Sequence, residues 1–128
     1  MKVLLDTHAF LWWTEDSSDL SKRARHAIAD PSNQCLLSIA SCWEMAIKVS
    51  LGKLKLPSGI ERFVKTHAVK RQFELLPIDL DHLTRIEKLP FRHRDPFDRL
   101  FIAQVLELDL PLVTAVSAFK NYGLRLIW

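Results

Sequence analysis

Short apolar runs with the composition of buried strands alternate with segments of helical periodicity from one end of the chain to the other, and that alternation restricts the fold more than any other feature. Val3-Leu4-Leu5 reads as a first strand, and Ala9 to Trp13 continues as a helix. Ser21 stands before KRARHAIAD as an N-cap with Pro31 as the stop, and Cys35 to Ile39 reads as a second strand. From Ser41, the residues Trp43, Ala46, Ile47, Leu51 and Leu54 recur at helical spacing, with Gly52 near the end. Ile60, Phe63, Val64 and Ala68 suggest another helix before a strand around Phe73 to Ile78, and Leu80, Leu83, Ile86 and Leu89 continue the helical pattern. After Pro96 the positions Phe97, Leu100, Phe101, Val105 and Leu108 describe one more helix, and Pro111 to Thr114 and Leu124 to Trp128 read as strands.

Strands separated by helices predict an α/β architecture: a central parallel sheet of about five strands, covered on both faces and joined by right-handed crossovers. A chain of 128 residues, 48% hydrophobic, without repeat or linker, is expected to form a single domain over residues 1–128. Cys35 and Cys42 make no disulfide framework and no zinc-ligand spacing, so both read as small buried hydrophobes. Asp6 and His8 interrupt the apolar N-terminal stretch, and no run approaches the roughly 18 apolar residues of a membrane span. These features suggest a soluble, cytoplasmic protein with no membrane partner.

In open parallel sheets, sites form at the carboxyl ends of strands. Asp6 ends the first strand, Glu44 lies in the first turns of the helix after the second, and Asp95 and Asp98 open the helix that leads into the fourth strand. Four carboxylates on one edge repel one another unless a cation keeps them ionised, and hard oxygen ligands select Mg²⁺ or Mn²⁺ over zinc. A cation so held can deprotonate water and neutralise charge on a phosphodiester, so hydrolysis of a nucleic-acid backbone is the natural reaction. Each acid also has a plainer explanation. Asp6 can cap a helix, Glu44 can be a solvated helix residue, and Asp95 before Pro96 is a good N-cap with Asp98 favoured by the macrodipole. The excess of 18 Lys and Arg over 15 Asp and Glu permits a polyanionic partner without requiring one.

Four segments taken together are more specific than any one acid. LLDTHAFLWW, SIASCWEMAIK with GKLKLP following, HRDPFDRLFIAQ, and LVTAVSAFKNYGLRLIW resemble, in order and spacing, the four successive signature blocks of VapC-type PIN-domain proteins, and they cover essentially the whole chain. The resemblance implies a three-layer α/β/α PIN-like fold, Mg²⁺ or Mn²⁺ held by clustered acids, and endoribonuclease activity as the toxin of a type II toxin-antitoxin pair. It further implies a VapB-like antitoxin, an RNA substrate, and a homodimer or toxin-antitoxin heteromer. By motif position Asp6, Glu44 and Asp98 match the core acids, Asp95 matches the additional acid of the DPFDR variant, and Thr7 and Thr114 are polar neighbours that position water or phosphate.

One departure stands out. Many relatives read TxD in the fourth block, whereas here Thr114-Ala115 is followed by Val116. That substitution keeps open a catalytically weakened or silent module that binds antitoxin or RNA. A phosphoryl-transfer or receiver-like domain also places an Asp at the end of its first strand, but LLDTH lacks the second Asp of a DxD phosphatase motif, and no Lys closely follows Thr114.

Arg92, Arg94 and Arg99 flank the acidic block, and Lys48, Lys53 and Lys55 follow Glu44, where they would draw in a phosphate backbone. Arg99 can instead pair with a site carboxylate. His8 and His93 are expected to support neighbouring acids, and Trp12 and Trp13 to pack a core or an interface.

Overall fold

The computed structural model describes residues 1–128. Its elements run β1 (Lys2–Leu5), α1 (Thr7–Thr14), α2 (Lys22–Ala29), β2 (Gln34–Ser38), α3 (Ile39–Ser50), α4 (Ile60–His67), β3 (Glu74–Leu76), α5 (Leu80–Lys88), α6 (Pro96–Leu108), β4 (Leu112–Val113) and β5 (Leu126–Ile127). The five strands form one sheet in the order β3-β2-β1-β4-β5, every pairing parallel. This is the expected three-layer α/β/α fold.

The strands are apolar on both sides because both sides are covered. Val3 and Leu5 of β1 join one core with Phe10, Leu37, Met45 and Val113. Leu4, between them, points to a second core with Leu36, Phe101, Ile102, Leu112 and Phe119. Successive side chains on a strand alternate faces, so three adjacent fully buried residues anchor both layers at once.

The chain starts at β1 in the middle, builds outward to β3, then returns through α5 and α6 to β4 on the other flank of β1. Strand order therefore reverses between β1 and β4, which opens a crevice at their carboxyl ends. Thr114 and Asp6 follow directly on those two strands.

Helix starts follow the expected chemistry. Ser21 accepts from the Ala24 N–H and Asp95 from those of Phe97 and Asp98, with Pro96 opening α6. Each such cap contributes about 1 kcal/mol. Helix phase departs from expectation in α3: Trp43 is exposed, Leu51 lies outside the helix and is exposed, and the buried face carries Ala40, Ser41, Glu44 and Met45. Two polar residues on the inward face break the apolar periodicity there. In α5, Leu80 and Leu83 are likewise exposed, and His82 is buried in their place, closing a capping box with Asp79. Cys35 is buried as expected, while Cys42 is only half-buried. No helix is long and apolar enough to cross a membrane.

Candidate active site

Asp6 leaves β1 as the N-cap of α1, with one carboxylate oxygen accepting from the Ala9 N–H at 2.8 Å. Its other oxygen accepts from the Thr114 hydroxyl at 2.5 Å, and the Val116 N–H donates to that hydroxyl at 3.0 Å. Asp6 is buried, and no Lys, Arg or His lies within ion-pair distance of it. Burial pushes its carboxyl above the usual aspartate range, the Thr114 and Ala9 hydrogen bonds oppose the rise, and the nearby Glu44 charge adds to it.

Glu44 reaches the same edge from α3. Its Oε1 accepts from the Thr7 hydroxyl at 2.7 Å and its Oε2 faces the Lys48 ammonium at 3.0 Å, one turn along the helix. The Thr7 hydroxyl also lies 3.0 Å from that of Ser41, which is fully buried. Thr7, Ser41 and Glu44 thus tie the start of α1 to the first turns of α3. Ser41, three residues before Glu44 on one helix face, is a site residue that the apolar pattern of α3 concealed.

Asp98, in the first turn of α6, meets His93 Nε2 at 2.6 Å. Burial pushes its carboxyl up to about 6, opposed by the His93 contact and reinforced by the charges of Asp95 and, more weakly, Asp6. Asp95 is exposed, and its side chain is engaged in capping α6.

Arg99 pairs with no carboxylate. Its guanidinium donates to the carbonyls of Ile86 and Pro90 at 3.3 and 3.2 Å, reaches that of His93 at 3.5 Å, and lies 4.7 Å from the Phe91 ring centroid. Backbone carbonyls absorb this buried cation, so its effect on the site runs through the loop that carries His93. Among the other cations expected to attract phosphate, Lys48 is engaged by Glu44 and Arg92 donates to the Asn121 carbonyl, while Arg94 is exposed with no ion pair.

The four acids share one edge, but no three His, Cys, Asp or Glu side chains stand close enough together to hold one ion. The donor chemistry still fits a hard divalent cation. All candidate ligands are carboxylate oxygens, Asp6 is buried in no ion pair, and burial raises both its carboxyl and that of Asp98. Mg²⁺ commonly binds through one or two carboxylates and keeps several waters, so a three-acid cage is not required.

The sequence model of the PIN domain family matches residues 3–123. The fold is similar to VapBC2 from Rickettsia felis bound to a DNA fragment from its promoter, with TM-score 0.73 and 16% identity over 98% of this chain and 97% of that one. DNA-bound VapBC from Salmonella typhimurium aligns with TM-score 0.70 and 17% identity, covering 98% and 96% of the two chains. FitAcB from Neisseria gonorrhoeae gives TM-score 0.67 and 14% identity over 97% and 95%. Nodulation protein D 1 of Mesorhizobium japonicum is 31% identical over 81 residues, covering 58% of this chain. The chain spans only 26% of that relative's length, so the likeness concerns a part of it.

Proposed function

This chain belongs to the PIN-domain family, and from that premise we propose that it is a divalent-metal-dependent endoribonuclease, the toxin of a toxin-antitoxin pair. The observation that carries the reading is Asp6: a buried carboxylate at the β1/β4 switch point, in no ion pair, with His8 the one basic group acting on it from a distance and the charges of Glu44 and Asp98 nearby.

Asp6 and Asp98 are the carboxylates assigned to the cation, with Glu44 beside them; Mg²⁺ or Mn²⁺ bound there supplies Lewis acidity toward water and the scissile phosphate. Thr114 holds Asp6 in place and is itself held by the Val116 N–H. Thr7 and Lys48 fix the two oxygens of Glu44, and His93 engages Asp98. His93 is within reach to hold a proton at its Nε2 beside the Asp98 carboxylate. Asp95 caps α6 through Oδ1 alone, which leaves its other oxygen as the fourth carboxylate donor proposed for the cation.

The VapBC and FitAcB likenesses support a VapB-like antitoxin as partner, with a homodimer or toxin-antitoxin heteromer as the assembly. The test is purified, antitoxin-free protein incubated with total RNA: cleavage in Mn²⁺ that disappears in Asp6→Asn supports the assignment, and equal cleavage by that variant overturns it.

A silent module that binds antitoxin or RNA is the second reading, favoured by Val116 at the TxD position. It predicts a folded protein that cuts no RNA at saturating Mn²⁺.

A further inference from the structure

Three of the four tryptophans, Trp12, Trp13 and Trp128, pack against the first core, whereas Trp43 is 55% exposed. A lone exposed apolar side chain needs no explanation, and Phe91 and Leu80 are more open still; what sets Trp43 apart is its partner. Trp43 is not isolated. Its ring meets that of Phe97 edge to face, with centroids 4.9 Å apart and planes at 77°. The contact joins α3 to α6, and each aromatic immediately precedes a site acid, Glu44 or Asp98. The aromatic pair thus bridges the two helix starts that carry Glu44 and Asp98, with Trp43 on the outward face of α3, Glu44 on the inward one, and Phe97 only partly buried.

We propose that Trp43, braced by Phe97, is a stacking platform for an unpaired RNA base next to the scissile phosphate, and so a positioning residue for the substrate. The proposal rests on the ribonuclease reading of the adjacent acids. An aromatic ring beside a phosphate-binding site is the usual means of holding single-stranded nucleic acid, because every base offers a π-face. Edge-to-face contact with Phe97 restricts the indole's rotation, which reduces the entropy lost when a base stacks on it. Arg94, exposed and in no ion pair, stands three residues before Phe97 in the sequence and offers a cation to a phosphate backbone. Such a platform selects single-stranded segments over duplex, since paired bases cannot be splayed onto it.

The test separates binding from cutting. Affinity for a fluorescein-labelled adenylate octamer is measured in EDTA, where no cleavage competes, for the parent, Trp43→Ala, Trp43→Phe and Phe97→Ala, with thermal melts to confirm folding. The octamer is compared with counterparts abasic at successive positions. Loss of about tenfold to a hundredfold in affinity for Trp43→Ala, a smaller loss for Trp43→Phe, and disappearance of the difference with one abasic counterpart are expected. Equal affinities for the parent and Trp43→Ala overturn the proposal. So does loss of self-association in Trp43→Ala with RNA affinity unchanged, which assigns the aromatic pair to a second copy of the chain. Cleavage by the parent in Mn²⁺, run in parallel, reports on the ribonuclease reading by itself: base-dependent binding without any cleavage keeps the platform and removes the enzyme.

Discussion

The Thr114 hydroxyl donates to the Asp6 carboxylate at 2.5 Å across 108 positions of sequence, closing the crevice between β4 and β1. That bond is the means by which the fourth motif block acts on the first. The residue two positions on, Val116, contributes its N–H rather than a carboxylate, holding the Thr114 hydroxyl so that it faces Asp6.

Thr114→Val keeps the shape and removes the hydroxyl. The buried Asp6 is then left with the Ala9 N–H alone, at a cost of about 1–3 kcal/mol, and its carboxyl rises further because an opposing hydrogen bond is gone. Denaturant unfolding measures the loss, and cleavage at fixed Mn²⁺ falls with it. Parental stability in the variant would show that the bond is not formed in solution.

Asp98 makes metal-free stability depend on pH. Its folded value, about 6, lies above the ordinary 3.8, so the folded state holds the proton more tightly than the unfolded chain. The stabilisation is complete below about 3.8 and is lost as pH rises through about 6, amounting to roughly 1–3 kcal/mol. In EDTA the parent should lose stability across that window relative to Asp98→Asn, whose amide does not titrate. A bound cation favours the ionised form, so Mn²⁺ should flatten the decline and cleavage should rise with pH through about 6. Parallel stability curves for the two proteins would contradict the assignment.

Lys48 neutralises Glu44, which is 9% exposed. Lys48→Met leaves that carboxylate without its cation and should destabilise the metal-free protein by about 1–2 kcal/mol, less than for a fully buried pair because Lys48 remains partly in water. Mg²⁺ should raise the melting temperature of the variant more than that of the parent. Equal rises would place Glu44 outside the reach of the ion.

Val116→Asp restores the carboxylate of the TxD pattern. Val116 packs against the second core, so the change should cost about 1 kcal/mol in EDTA and return a larger melting-temperature gain in Mn²⁺. No added gain would place residue 116 away from the ion.

What the chain discloses by inspection is local. The caps at Ser21 and Asp95 and the fully apolar β1 depend on neighbours within a few positions, and each stands where the residues indicate. The phase of α3 was hidden because Ser41 and Glu44 occupy its inward face while Trp43 is left in water, the reverse of an ordinary amphipathic helix. Some partners of the charged groups were hidden for another reason. His93 meets Asp98 as its position beside the acidic block indicates, but Lys48 reaches Glu44 through its side-chain rotamer, and Arg99 turns to carbonyls at Ile86, Pro90 and His93 that only the folded loop brings together. Strands β4 and β5, two residues each, are shorter than the apolar runs that contain them. Their pairing with β1 and with each other decides where they end.

The most direct measurement is the chemistry of the cut ends after purified protein acts on a defined single-stranded RNA in Mn²⁺. Metal-assisted attack by water predicts ends free of 2′,3′-cyclic phosphate, formed by the parent and absent from the EDTA and Asp98→Asn controls. Cyclic phosphate ends, or cleavage that persists in both controls, would show that the RNA's own 2′-hydroxyl or a contaminant does the cutting and would contradict the account.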